Sequence, residues 1–278
     1  MPYNFRTVDI ETIPEERMSR LPFLMALLIV LTFWSMTPGV AQQSDTMKID
    51  ASQINTNVLI PGVSRYLVYF KNGKDSSRTR FQLWTRTVEF VRYDGNDAIS
   101  IKQEWESNSE VFHTVTSFCD RRTFAPFYQE SWWKTRGSWK FDFLHNIAMS
   151  DGKSLAEATD SAGKNQWDAF QLARQQYVLN WHLDLEVFST LPFKEHTTFL
   201  INYYDPGFSA PSFVPYTVIG SDTLPGSEGH TIECWLLELK EPRNHEVFWI
   251  SKKTREVLKL DQQYDSTFRY KVKLPFSE

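Results

Sequence analysis

The sequence predicts a mainly β protein. The expected form is a large curled antiparallel meander, an open barrel or half-barrel of about a dozen strands with one central helix. Three observations carry this. Stretch after stretch alternates apolar and polar residues at period two and is rich in β-branched and aromatic side chains, the pattern of half-buried strands. Short turn signals separate these stretches, so neighbours in sequence form antiparallel hairpins. One segment, Gln176–Leu191, instead repeats its apolar residues at helical spacing.

The strands follow in order. Ser64–Lys71 and Thr79–Val91 flank Asn72-Gly73, with Phe81, Leu83, Thr85, Thr87 and Glu89 on one face of the second. Asp97–Glu106 groups Ile99, Ile101, Gln103 and Trp105, and Glu110–Cys119 follows the turn at Ser107-Asn108-Ser109. Phe127–Lys134 and Ser138–His145 form an aromatic hairpin about Thr135-Arg136-Gly137. Met149–Gly163 turns polar and reads as a surface excursion, with room for a short helix near Leu155–Ala158, and Gln166–Leu172 reads as another strand. In Gln176–Leu191 the residues Leu183, Leu185 and Val187 also alternate. The helical spacing of Val178, Trp181, Leu185 and Phe188 is the preferred reading, with Asn180 as cap and Leu191-Pro192 as stop. Strands resume at Thr197–Tyr204, Phe213–Ser221, His230–Lys240, Glu246–Ser251, Arg255–Tyr264 and Thr267–Leu274. A meander of this size curls, because a large open sheet twists and must hide its edges.

Composition narrows the function classes. The 278 residues carry 30 basic and 34 acidic side chains, and a pI near 5.9 lacks the basic footprint of a nucleic-acid binder. Fifteen per cent aromatic residues with only 11 Gly and 13 Pro exclude disordered and collagen-like chains. Two cysteines are too few for a disulfide scaffold or a cysteine-rich zinc module.

The first forty residues read as an address. Leu21–Trp34 is an uncharged apolar run, too short for the roughly 20 residues of a membrane span and suited to the core of a signal peptide. Arg17 and Arg20 precede it, and Gly39 and Ala41 place the cut after Ala41; an uncleaved anchor is the competing reading. Asp9, Glu11, Glu15 and Glu16 do not suit a signal peptide's basic start, which points to Met18 as the true first residue. The expected organisation is a leader over 1–41, a partly disordered extension over 42–62, and a single β-rich domain over 63–278. The protein is then periplasmic or secreted, with no transmembrane segment after cleavage and outer-membrane association as an option. In that oxidising setting Cys119 and Cys234 are candidates for a disulfide, with two buried free thiols as the alternative.

The chain's closing hairpin, His245–Gln262 (HEVFWISKKTREVLKLDQ), resembles that of the DUF3108-like proteins of bacterial cell envelopes. Asn180–Pro192 (NWHLDLEVFSTLP) sits where such proteins carry their helix, before a strand ending in the turn Tyr204-Asp205-Pro206-Gly207. The resemblance covers about Val63–Leu274. It implies a secreted curled β-fold similar to lipoprotein-carrier half-barrels, which hold acyl chains in an apolar hollow. It brings no assigned activity and no catalytic residues.

Residues that could carry chemistry are sparse. None of the six histidines forms HxH, HxxH or HExxH, so no metal or cofactor is expected; His182, Asp184 and Glu186 read as a solvated face. There is no GxSxG or SxxK. Arg121 and Arg122 beside Cys119 could activate a thiol, but no base accompanies it. Arg121-Arg122, Lys252-Lys253 and Lys271/Lys273 read as edge or turn charges. The aromatic residues are the unusual signal: Trp132, Trp133, Trp139, Phe141 and Phe143 crowd one hairpin, and Trp181 precedes the helix. They either line a binding surface or fill a wide core. The expected function is a non-catalytic protein binding a hydrophobic or amphipathic ligand: a lipid, an acyl chain or a glycan. The alternatives are a scaffold that binds an envelope partner, and a hydrolase with an unrecognised site. A carrier requires an apolar hollow, a scaffold a filled core with an apolar outer patch, and an enzyme a cleft where His or Cys meets carboxylates.

Overall fold

The computed structural model describes residues Asp45–Pro275. The leader expected over 1–41, with its start at Met18 and cut after Ala41, lies outside the described residues. The N-terminal half runs β1 (Asp45–Lys48), β2 (Gly62–Asn72), β3 (Thr79–Tyr93), β4 (Asn96–Ser107), β5 (Glu110–Asp120), β6 (Pro126–Trp133), β7 (Gly137–Asp142), β8 (Ile147–Ser150) and β9 (Lys153–Ser154). The middle holds α1 (Ser161–Arg174), β10 (Leu179–Asn180) and α2 (Asp184–Thr190). The C-terminal half runs β11 (Thr197–Tyr204), β12 (Ser212–Pro225), β13 (Thr231–Lys240), β14 (Asn244–Ser251), β15 (Val257–Tyr264) and β16 (Thr267–Lys273).

All sixteen strands belong to one sheet. From β11 to β16 each strand pairs with the next, β16 pairs back to β2, and β2 to β9 again pair in sequence. The path ends at β1 on one side and β9 on the other, so the sheet curls without closing. The mainly β half-barrel expected is therefore the one found. The count exceeds a dozen because β1, β8, β9 and β10 are two to four residues long, too short to display an alternation.

Segments off the main strand path cross the open seam. Thr56 Oγ1 donates to the Arg121 carbonyl at 2.7 Å, Tyr177 Oη to Thr123 O at 2.6 Å, and Asn180 Nδ2 to Gln129 Oε1. The stretch expected as a partly disordered extension contributes here. From Asp45 on it supplies a strand parallel to β11 and the buried residues Ile49, Ile54 and Leu59.

The segment read as the central helix splits in two. Asn180 Oδ1 accepts from His182 N at 3.0 Å and caps a 3-10 turn, Trp181–Leu183, which runs into α2. Every residue from Leu185 to Thr190 is buried, because the curled sheet and the segment over 49–59 together enclose the helix. Phe188 meets Tyr216 and Phe248 at 4.8 Å between ring centroids. A cavity of about 60 Å³ remains against α2, beside Tyr66, Leu185 and Glu186.

A second helix corrects the one-helix expectation and replaces the strand expected at Gln166–Leu172. In α1, Gly163, Trp167, Phe170 and Ala173 recur at helical spacing, and Asp160 caps it through Gly163 N at 2.8 Å. Its mostly polar surface hides that period. Phe170 and Ala173 cover Trp139, Phe141, Ala148 and Leu155 on β7, β8 and the following turn, forming a second, smaller core.

The two cysteines are both free thiols. Cys119 points inward with Val115 and Ser117 on β5. Cys234 alternates with the core-facing Trp235 and Leu237 on β13, so it occupies the opposite face of the sheet. Seven steps along the strand order also separate β13 from β5, so the candidate disulfide is not formed.

Candidate ligand-binding site

The inward positions of the strands are not uniformly apolar. Arg86 on β3 alternates with Trp84 and is 2% exposed. Its Nε donates to Glu186 Oε1 at 2.9 Å and its Nη2 to the other carboxylate oxygen, a bidentate pair inside the curl. Nη2 also donates to the His182 carbonyl at 2.9 Å, and Nη1 lies 3.5 Å from Asp184 Oδ1. Lys271, equally buried, stands 4.0 Å from Asp184 Oδ2 and 4.5 Å from the centre of the Trp84 ring. Burial pushes its ammonium down to about 8, against the pull of Asp184. Burial raises the Glu246 carboxyl, which takes a hydrogen bond from Gln262 at 2.6 Å. This ion cluster pins α2 in the lumen. Removing one partner of such a pair costs about 3–5 kcal/mol, because the other charge stays buried.

The cluster revises two readings of the sequence. His182, Asp184 and Glu186 do not form a solvated face: Glu186 turns to Arg86, Asp184 to Arg86 and Lys271, and His182 Nε2 to Asp205 Oδ1 at 3.3 Å. Lys271 is an inward, buried charge and not an edge charge. The face of β3 carrying Phe81, Leu83 and Thr85 is the outer one, and Trp84 and Arg86 face the core. Arg86, Lys271 and Asp205 were missed because a charge at an inward position looks like an ordinary surface charge unless its strand's facing is known. The available signal was Trp84 and Val88 flanking Arg86 at period two.

Above the ion cluster, toward the rim formed by the 133–137 and 204–212 connections, aromatic rings continue in a file. Trp84 stacks on Trp105 at 3.6 Å, and Trp105 meets Trp133 edge-on at 5.5 Å. The Arg136 guanidinium bridges onward, 5.3 Å from Trp133 and 5.7 Å from Phe208. Phe208 lies 5.0 Å from Trp139, and Gly207 presses on the same indole, where a Cβ would come within 2.8 Å. Gly207 also needs its φ of +88°, so the turn Asp205-Pro206-Gly207 suits glycine twice over. Beside Phe208 opens a cleft of about 180 Å³, lined by Asn165 and Gln166 of α1, Tyr204 and Ser209.

The rim also gathers buried polar atoms that have no hydrogen-bond partner among the described residues. They are His113 Nε2, Trp133 Nε1, Trp139 Nε1, Tyr203 Oη and, one strand pair further in, Ser131 Oγ. The His113 ring stacks on Trp133 at 3.6 Å and lies 5.6 Å from His182. Its Nδ1 faces the Trp132 carbonyl at 2.8 Å, which assigns the proton to Nδ1 and leaves Nε2 as an acceptor. Burial, and then His182, hold this imidazole down at about 3, so it is neutral near pH 7. Buried polar groups are nearly always paired with protein, water or ligand, so such a row marks a place for polar contacts.

The residues named from sequence divide between these regions. Trp133 and Trp139 belong to the aromatic file, and Phe141 and Phe143 sit in the second core against Phe170. Trp181 packs edge-on against Tyr203 at 5.0 Å. Trp132 points to the other face and is 40% exposed. Phe208, His113 and Asn165 join the site without having been singled out. Burial pushes the Cys119 thiol far above its ordinary range, and Arg121 stacks on Phe90 at 3.7 Å with a bond to Thr56 O, so the thiol is not activated. Among the described residues no three metal-ligating side chains converge, and no helix is long and apolar enough to cross a membrane.

The fold and the rim define a class of protein: an unclosed antiparallel half-barrel whose lumen is occupied by its own helix. The chain belongs to the DUF3108 family, a protein family of unknown function, whose model matches residues 65–273. A solved structure, the crystal structure of a beta-barrel-like protein of domain of unknown function DUF1849 from Brucella abortus, aligns with a TM-score of 0.29 and 8% identity. That alignment covers 78% of this chain and 98% of the other. No curated protein matches the sequence.

Proposed function

We propose that this protein is an exported, non-catalytic binding protein of the cell envelope, and that its ligand is a glycan segment held at the aromatic rim. The uncharged apolar run Leu21–Trp34, preceded by Arg17 and Arg20, supports export. The observation that carries the ligand class is the aromatic file ending at Phe208 beside buried, unpaired hydroxyl, indole and imidazole groups. Sugars present apolar ring faces flanked by hydroxyls, which stack on aromatic rings and satisfy polar groups of either sign. An acyl chain asks for the opposite, an apolar hollow. The lumen that would supply one contains α2 and its ion cluster, and only about 60 Å³ remains open beside α2.

The test is a tryptophan-fluorescence and calorimetric titration with chitohexaose and, separately, with palmitate. Saturable binding of the oligosaccharide, weakened about tenfold by Phe208→Ala, is the expected result. Saturable binding of palmitate, or lipid released from protein purified from its own cells, would overturn the glycan reading.

A further inference from the structure

The cleft beside Phe208 has a larger neighbour. Between the β8–β9 hairpin, the connection after it and the first turns of α1 opens a second cleft of about 730 Å³. The two meet at Gln166, which lines both. Ala162, Gln166 and Ala169 follow at i, i+4 and i+7 and so form one stripe along α1. Ala162 lines the larger cleft and Ala169 the smaller, so no long side chain of that stripe closes the space on either side of Gln166. Trp139 links the opposite walls. Its backbone pairs with Ser150, which lines the larger cleft, and its indole lies against Gly207 and Phe208, which line the smaller.

The lining is polar and mostly uncommitted. Ser150, Ser154, Thr159, Asn165 and Gln166 make no side-chain hydrogen bond among the described residues. Tyr204 adds one more group: it is 1% exposed, lines the smaller cleft, and its buried Oη has no partner. The charged residues lining the two clefts are Asp151, Glu157, Asp160 and Lys153. Two of the carboxylates are already engaged, Asp151 by Ser138 N at 2.7 Å and Asp160 by Gly163 N at 2.8 Å.

We propose that the two clefts are one trough, and that it holds an internal stretch of an uncharged polysaccharide, several sugars long. The proposal rests on the glycan reading of the rim and extends it. One sugar ring stacks at Phe208, and the sugars that follow lie past Gln166 against hydroxyl and carboxamide groups. Such groups both donate and accept, as a chain of sugar hydroxyls requires. A single sugar or a chain end needs no more than the space beside Phe208; the larger cleft running on from it is what calls for a chain. A polyanion would meet three carboxylates against one ammonium. A peptide finds no strand to extend, because β9 is two residues long.

The test is calorimetric titration of the full chain with chitobiose and with chitohexaose. Wild type is expected to bind the hexasaccharide about tenfold more tightly, the worth of one or two further hydrogen bonds. Ala162→Trp, at an exposed position of α1, fills the larger cleft and is expected to bring the hexasaccharide down to the level of the disaccharide. Gln166→Ala is expected to weaken the hexasaccharide more than the disaccharide. Thermal unfolding checks that both variants keep the fold. Equal affinity of wild type for the two lengths overturns the trough and leaves the glycan reading of the rim standing. So does a length preference that survives both substitutions. Failure of both sugars to bind overturns the trough and the glycan reading together.

Discussion

His113 shows what one buried side chain does to the whole protein's response to acid. The folded state holds its imidazole at about 3, against the ordinary 6.5 that an unfolded chain retains. Between those values the unfolded chain binds a proton that the folded one refuses. The stability that His113 supports is therefore complete above about pH 6.5 and is lost as pH falls toward 3. Glu246 works the other way: burial raises its carboxyl, so its contribution weakens as pH rises above the ordinary carboxylate range. His113→Gln separates the two. Urea unfolding at acid and neutral pH should show wild type gaining more stability than the variant on moving to neutral pH. Parallel changes in both proteins would remove His113 as the cause.

At the scale of elements, the long strands were legible because each is half-buried. β4 is the clearest case: Ile99, Ile101, Gln103 and Trp105 were grouped from alternation alone, and all four face the core. Helix α2 was legible through Asn180 and the spacing of its apolar residues. Helix α1 was not, because only one narrow stripe of it touches the protein and that stripe includes a glycine and an alanine. Its worth can be measured at Phe170, which is fully buried between Phe141 and Phe143. Phe170→Ala should cost about 3–5 kcal/mol in urea unfolding and expose the Trp139 and Phe141 side of β7. A loss below about 1 kcal/mol would mean that α1 is an ornament on a sheet that stands without it. The candidate site was half legible. Its tryptophans announced themselves by type, whereas the ring of Phe208 and the unpaired Nε2 of His113 acquire meaning only from what the fold sets beside them.

For the whole molecule, the important fact is that segments far apart in sequence complete one core. β1 lies parallel to β11, and Ile49, Ile54 and Leu59 fill the seam beside residues of α2 and β11. A chain beginning at Gly62 keeps the whole of the family's matched region but loses that strand and those three side chains. It should lose its sharp thermal transition, or melt well below the longer chain, when both are followed by circular dichroism. Unchanged melting would show that the first strand is dispensable. The sequence hid this because Asp45–Leu59 has no alternation of its own; it is shaped by the seam it covers.

The ladder between β16 and β2 has a consequence for how the protein is made. Synthesis from the N-terminus delivers β2 to β9 early, and these can pair in sequence as they emerge. Yet the free side of β2 waits for Thr267–Lys273, within the last dozen residues of the chain. Until β16 has been made, a long strand with an unclaimed row of amide and carbonyl groups stands open to any other strand nearby. The final residues act as a clasp, and a chain cut short by even one hairpin would leave the clasp undone. That edge of β2 needs guarding until β16 arrives to pair with it.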